Sequence, residues 1–280
     1  MVYVGTAYTI YNDYKLISLV KRNKCAFFIN SQLNYEAAHT ISLKEKKAVS
    51  SAYELARQVF FVSKRNKLAA EKHLERSIPN GMVLRNPVNI SSTEIIPYPL
   101  KDKMYFAMVG NLRIIHKGQD IVLEILSSAI WKKRNWHLNI YGSGEDEHFL
   151  KQLMHTGGLS DRVTFHGRVN DIRGIWLVNH ILLMPSYLEG MPLAIVEAML
   201  CGRLCVATDV GGIEEWIEEN ISGFIAEMPS LFSFAKTMEK AWSNKEEWEL
   251  MGINAHERAM HLFDPHAGRT LLELILKHFG

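Results

Sequence analysis

Residues 182–212, LLMPSYLEGMPLAIVEAMLCGRLCVATDVGG, decide how this chain is read. An apolar run, Ile181 to Met184, meets Pro185 and Ser186, then a turn carrying Glu189 and Gly190. Pro192 is expected to open a helix that stops at Gly202, since proline suits the first helical position and glycine the residue past the last. A second apolar run reaches Thr208 before Asp209 and two glycines. Within the expected helix Leu193, Ala194, Ile195, Val196, Ala198, Met199 and Leu200 are apolar, so the helix is buried nearly all round and Glu197 stands out. A carboxylate in such surroundings is costly unless something pairs with it. Glu189 lies upstream with seven residues between the two acids, at the mouth of a strand-to-helix turn.

From Met104 onward short apolar strands alternate with helical stretches. Strands are expected at Tyr105–Val109, Leu138–Tyr141, Val163–Phe165, Ile181–Met184, Leu204–Ala207 and Phe224–Ala226. Helices are expected at Asp120–Trp131, Glu147–His155, Ile172–Val178, Pro192–Leu200 and Ile213–Glu219. This tempo predicts a parallel sheet covered on both faces. Ligands of such sheets bind beyond the C-terminal strand ends. Those ends lead into 110–118, 142–146, 167–171, 185–192 and 209–212, which gather the glycine, charge and polar groups on one rim.

An earlier region also reads as strand and helix: Val2–Gly5, Tyr14–Lys21, Ala26–Ile29, Leu43–Ala56, Val59–Val62, a basic helix near Lys64–Arg76, and Met82–Leu84. Asn86, Pro87, Val88 and Asn89 break the pattern, and 91–103 reads as a linker with Pro97 and Pro99. The expected organisation is therefore 1–100, 101–255 and a final helical segment 256–280 returning toward the first region.

Thirty-two Lys and Arg against 30 Asp and Glu give a formal charge of +2, which argues against a dedicated nucleic-acid binder. No run of ~20 apolar residues is present, so no spanning helix is expected. The N-terminus has no basic segment followed by an apolar core, which points to the cytosol. Cys25, Cys201 and Cys205 read as buried thiols in a reducing compartment. The histidines are scattered without metal-ligand spacing, and no Asp-x-Asp, Walker loop or Gly-x-Ser-x-Gly elbow occurs.

The 182–212 stretch resembles the donor-binding signature of the retaining family-four glycosyltransferases (glycosyl transferases group 1): Glu-Gly, Glu-Ala seven residues on, a glycine, then an apolar strand ending in Gly-Gly. The resemblance implies an α/β, GT-B-like fold of two Rossmann-like domains with parallel sheets, the N-terminal one incomplete. FFVSKRN and VLRNPVN resemble the close of that domain, and its opening strand, glycine loop and first helices have no counterpart here. Met1 is thus expected to be an internal start or the chain a fragment.

The resemblance further implies a nucleoside-diphosphate sugar, such as a UDP- or GDP-sugar, as donor, and a glycan or lipid-linked acceptor. No metal or other cofactor is implied. Lys117 and Arg113, beside Gly110 and Asn111, would grip the diphosphate. Gly142 and Arg168 would flank the nucleobase. Gly190 and the amides around Met191 and Leu193 would face the diphosphate or sugar, Glu197 would accept the ribose hydroxyls, and Glu189 would hold the donor sugar. Glu189, Lys117 and Arg113 are the expected catalytic groups, and sugar transfer with retention, in surface polysaccharide or lipopolysaccharide synthesis, the expected reaction.

Departures from the family pattern are Asn111 where Arg is usual, Leu204 where Pro is common, and Asn30, Ser31 and Gln32 where relatives often carry a histidine. The alternatives are a nucleotide-sugar-binding fragment without turnover and another GT-B enzyme such as an epimerase. An NAD dehydrogenase is disfavoured because no Gly-x-Gly-x-x-Gly opens either region. The basic helix near Lys64–Arg76 reads first as a solvated face, and the resemblance to relatives offers a peripheral contact with anionic lipid at the cytosolic face of the membrane as the alternative.

Overall fold

The computed structural model describes residues 2–6, 18, 20, 22, 26–31, 42–99 and 103–279. Of the stretch expected at Tyr14–Lys21 only Ser18 and Val20 are among them, and 32–41 lies outside. The chain divides into two compact units, 1–87 with 264–280, and 88–263.

The first unit holds four parallel strands in the order β1-β2-β3-β4: β1 (Val2–Thr6), β2 (Ala26–Ser31), β3 (Gln58–Phe61) and β4 (Gly81–Val83). Helix α1 (Leu43–Leu55) begins at a capping box, with the Glu45 amide donating to Ser42 Oγ and the Ser42 amide to Glu45 Oε2. Ser63 caps α2 (Lys64–Leu74) through the Asn66 amide. Alternation along the strands decides the two layers. Phe27, Ile29, Val59 and Phe61 pack with Val49, Ala52 and Tyr53, while Phe28 and Phe60 pack on the other face with Ile275 of the last helix.

The second unit is a six-stranded parallel sheet: β5 (Met104–Val109), β6 (Trp136–Tyr141), β7 (Val163–Gly167), β8 (Ile181–Met184), β9 (Leu204–Thr208) and β10 (Gly223–Ala226). Their order is β10-β9-β8-β5-β6-β7. The chain winds outward from β5 in one direction through β6 and β7, then returns to β8 on the other side. This reversal opens a crevice beyond the C-terminal ends of β5 and β8, the usual ligand position in such sheets.

Helices α3 (Ile114–Lys117), α4 (Gln119–Ser127), α5 (Ala129–Lys132), α6 (Glu147–Thr156) and α7 (Ile172–Val178) connect the first strands. After them come α8 (Leu193–Leu200), α9 (Ile213–Trp216), α10 (Leu231–Ser243), α11 (Trp248–Leu262) and α12 (Ala267–Leu276).

Four local expectations are corrected. The helix expected over Asp120–Trp131 breaks at Ser128, whose extended backbone (φ −66°, ψ 154°) separates α4 from α5. Pro192 stands at the N-cap with ψ 95°, so α8 starts at Leu193. The helix expected to reach Glu219 ends at Trp216, where Ile217 turns extended. The loop after β5 contains one helical turn, α3, with Lys117 as its last residue.

The unit boundaries fall at 87/88 and 263/264 rather than at 100/101 and 255/256. The proline-rich segment is tied to the second unit: Arg173 donates to the Ser92 and Glu94 carbonyls at 2.9 and 2.7 Å, and Arg203 to those of Ile96 and Pro97. Helix α11 likewise continues past 255, with Ala255 and Ala259 fully buried and Arg258 donating to the Trp216 carbonyl.

Arg203 is the main cross-link of this unit. It is 1% exposed, and its guanidinium donates to six carbonyls, those of Ile96, Pro97, Trp176, Asn179, Cys201 and Gly202, at 2.8–3.2 Å. The apolar core is built around Phe106, stacked on Trp136 and edge-on to Trp131, Trp242 and Trp248. The edge strand β10 is closed by its neighbourhood. The Ile225 amide donates to Glu219 Oε2 at 2.6 Å, Lys240 holds the other carboxylate oxygen, and the Asn220 amide takes the Gly223 carbonyl.

Candidate functional site

The rim beyond β5 and β8 is made by the loops 110–118 and 185–192. Two backbone ties join them: the Tyr187 and Leu188 amides both donate to the His116 carbonyl, at 2.9 and 3.3 Å. Gly118 permits this approach. A Cβ there would sit 2.4 Å from the Pro185 carbonyl oxygen, and its φ of +60° is one that side-chain-bearing residues rarely adopt.

Lys117 and Glu189 meet across the two loops. Lys117 Nζ lies 2.6 Å from Glu189 Oε1, with side chains 27% and 8% exposed. Ser186 Oγ donates to the same oxygen at 2.7 Å. Glu189 Oε2 makes no hydrogen bond or ion pair among the described residues. The pair therefore keeps unused capacity on both sides: two ammonium N–H groups and one carboxylate oxygen.

Glu197 lies one turn into α8 and is 8% exposed. Its side chain has no hydrogen bond or ion pair among the described residues. Burial pushes its carboxyl up from 4.5 to about 7. At the start of the same helix the Leu193 and Ala194 amides find no acceptor among the described residues, as expected of first-turn donors. They leave the positive end of an eight-residue helix open to an anion. Met191 is buried, Leu193 half-exposed, and the Gly190 carbonyl accepts from the Gly212 amide.

Around the neighbouring strand ends the remaining residues assemble in two groups. Gly110, Lys117, Gln119, Tyr141 and Ser186 line one pocket. Gln119, for which the sequence carries no signal, donates Nε2 to the Asn111 carbonyl, while its buried Oε1 has no partner. Gly142 crosses so close to Gly110 that a Cβ would stand 1.8 Å from the Gly110 carbonyl oxygen, and its φ is +130°. Its amide donates to the Gly167 carbonyl, and Arg168 Nε reaches Ser143 Oγ at 2.9 Å. Gly142 and Arg168 thus share one corner of the rim.

Arg113 is not brought onto the Lys117–Glu189 pair. Its Nε lies 2.7 Å from Glu145 in a solvent-accessible ion pair on the α3 N-cap. Among the described residues no three His, Cys, Asp or Glu side chains converge to hold a metal ion. Ser186 and Thr208 are the other groups that the sequence did not single out. Both are fully buried, and Thr208 Oγ1 donates to the Ser186 carbonyl at 2.5 Å. The signal available for them was position alone, a hydroxyl residue at the C-terminal end of two adjacent central strands.

Two Rossmann-like units with parallel sheets, and a rim of this kind in the second, place the chain among the GT-B glycosyltransferase folds. The chain belongs to the glycosyl transferases group 1 family, whose signature matches residues 93–258. It is similar to an uncharacterized glycosyltransferase of Haemophilus influenzae, 33% identical over 139 residues, which cover 49% of this chain and 39% of that protein. It is also similar to one component of the human phosphatidylinositol N-acetylglucosaminyltransferase, 30% identical over 190 residues, covering 65% of this chain and 37% of that one. Among solved structures, Anabaena HepE in complex with UDP superposes with a TM-score of 0.81 at 18% identity, covering 99% of this chain and 78% of that one. The matched part of the chain spans about two-fifths of the length of these curated relatives.

Proposed function

We propose that the chain carries the donor-binding half of a retaining glycosyltransferase. A nucleoside-diphosphate sugar, such as a UDP- or GDP-sugar, lies in the crevice beyond β5 and β8, and its sugar passes to a hydroxyl of a glycan or lipid-linked acceptor. The bond from the anomeric carbon to the diphosphate breaks, and a bond to the acceptor oxygen forms on the same face. The acceptor proton goes to the departing phosphate. Lys117, Arg113 and the open amides of α8 offset the leaving group's charge. Glu189 holds a donor-sugar hydroxyl and Glu197 the ribose hydroxyls. No metal or other cofactor enters this scheme.

The observation that carries the reading is Glu197, a buried carboxylate without a hydrogen bond or ion pair among the described residues, whose charged form burial disfavours. Such groups concentrate at functional sites. Support also comes from the curated relatives, named as glycosyltransferases, and from the UDP held by HepE. Surface polysaccharide or lipopolysaccharide synthesis is the setting we assign. The second reading, a nucleotide-sugar binder without turnover, is favoured by the solvent-side pairing of Arg113 with Glu145.

The test is a thermal-shift screen with UDP, GDP, ADP and their common sugars. A ligand at a hundred times its Kd stabilises by about 2.7 kcal/mol, or roughly 5–10 °C for a unit of this size. No shift with any of them sinks both readings. A shift without sugar transfer or donor hydrolysis selects the second.

Charge is segregated between the units. Residues 1–87 and 264–280 carry 16 Lys and Arg against eight Asp and Glu, whereas 88–263 carries 16 against 22. On α2 the exposed Leu68 stands beside Lys64, Lys67 and Lys72. No described helix is long and apolar enough to cross a membrane. A peripheral contact at the cytosolic membrane face completes the proposal. The protein is expected to co-sediment with phosphatidylglycerol vesicles, less so as salt is raised, and to ignore phosphatidylcholine. Equal behaviour toward both vesicles counts against the contact.

A further inference from the structure

The rim contains one side chain whose geometry goes beyond the proposed donor contacts. Ser186 is the second residue after β8 and is completely buried. Its backbone is fixed by Thr208, whose hydroxyl donates to the Ser186 carbonyl from the end of the adjacent strand β9. Its own hydroxyl donates to Glu189 Oε1 at 2.7 Å. Lys117 meets that same oxygen at 2.6 Å. Two donors on one carboxylate oxygen leave Oε2 as the oxygen without a protein partner among the described residues.

A serine in this position has no packing reason to be polar. Buried hydroxyls are retained where they satisfy a specific acceptor, and the acceptor here is charged. The Lys117 ammonium sits on a four-carbon stem and is partly exposed, so by itself it fixes neither carboxylate rotamer nor oxygen. Ser186 sits on backbone held by the Thr208 hydroxyl on β9 and, through the next two residues, by the two ties to the His116 carbonyl, so its hydroxyl is the rigid donor. It determines which Glu189 oxygen is occupied and which remains for a ligand.

We propose that Ser186 is a positioning residue. It locks the Glu189 carboxylate so that Oε2 faces the donor sugar while Oε1 retains Lys117, and it thereby sets the part of donor affinity that comes from the sugar. This rests on the donor-site reading above. The hydroxyl acts through Glu189 and touches no reacting atom.

The experiment is calorimetric titration of the unaltered chain and of Ser186→Ala, Ser186→Cys and Ser186→Thr. The probes are UDP, GDP and ADP, each with and without its hexose. Cysteine is nearly isosteric with serine and a weak donor, so it carries the test if alanine disturbs folding. Threonine keeps the hydroxyl. Loss of a hydrogen bond to a charged group is expected to weaken the nucleotide sugar about tenfold in the alanine and cysteine variants. The free nucleotide should stay within about twofold, because its contacts do not pass through Ser186. The threonine variant should recover most of the difference.

Equal losses for nucleotide and nucleotide sugar reveal a merely structural residue and overturn the proposal. Unchanged sugar preference in the alanine and cysteine variants, or failure of threonine to rescue, also overturns it. If the unaltered chain binds none of the probes, the donor-site reading fails first and takes the Ser186 role with it.

Discussion

At pH 8, Glu197→Gln is expected to melt above the unaltered protein and to bind nucleotide sugar worse. The folded carboxyl titrates near 7 against an ordinary 4.5, because burial disfavours its charge. Between those values the folded protein keeps a proton that the unfolded chain releases. Stability therefore falls as pH rises through that window, and the loss is complete above it. A shift of this size corresponds to about 3 kcal/mol. Glutamine keeps the shape and removes the charge, leaving a buried amide, so a gain of about 2 kcal/mol at pH 8 is expected, or roughly 5 °C. Near pH 5 most of that difference should vanish. Binding moves the other way, with a loss of at least about tenfold when the charged acceptor goes. Melting curves at both pH values, with a UDP-sugar titration, check the two signs together. A variant that melts at or below the unaltered protein at pH 8 shows that Glu197 is paired in solution.

The second large effect is structural. Arg203→Met should strip donors from six carbonyls at once, two of them in the 96–97 segment and four at the ends of α7 and α8. Removing one partner of a buried charged network costs about 3–5 kcal/mol. Arg203→Lys should recover little, since an ammonium carries three donors from one point and cannot reproduce the planar fork. Urea unfolding of both variants measures this. Midpoints near that of the unaltered protein mean that the carbonyls find water instead. The Arg173 ties to Ser92 and Glu94 should keep the rest of that segment in place, so a local loosening seen by amide exchange is expected to begin at Ile96, whose amide donates to the Cys201 carbonyl.

Much of the second unit is legible because its strands are apolar runs bounded by glycine and polar residues. Ile181–Met184 is found where expected, and the other strands of that sheet differ by one or two residues. The oddity of Glu197 is equally legible, since a lone acid among seven apolar neighbours signals a helix without a wet face. The order of the strands is not, because tempo shows that a sheet is parallel without saying where the winding reverses. Arg203 reads as one more turn residue in CGRLC. The carbonyls it serves lie up to 107 positions away, beyond any local pattern. Ser186 and Thr208 fail for the same reason, their bond spanning 22 positions. The break at Ser128 hides because its neighbours continue the apolar periodicity of α4.

One of the two outermost strands of the larger sheet, β10, has a consequence of another kind. A bare parallel edge offers unmet amides to any extended chain that drifts past, and that is how folded proteins grow into fibres. Here Glu219 already occupies the Ile225 donor and is itself tethered by Lys240, so an incoming strand meets a closed door. Crowded copies of this molecule would touch there as finished surfaces instead of extending one another.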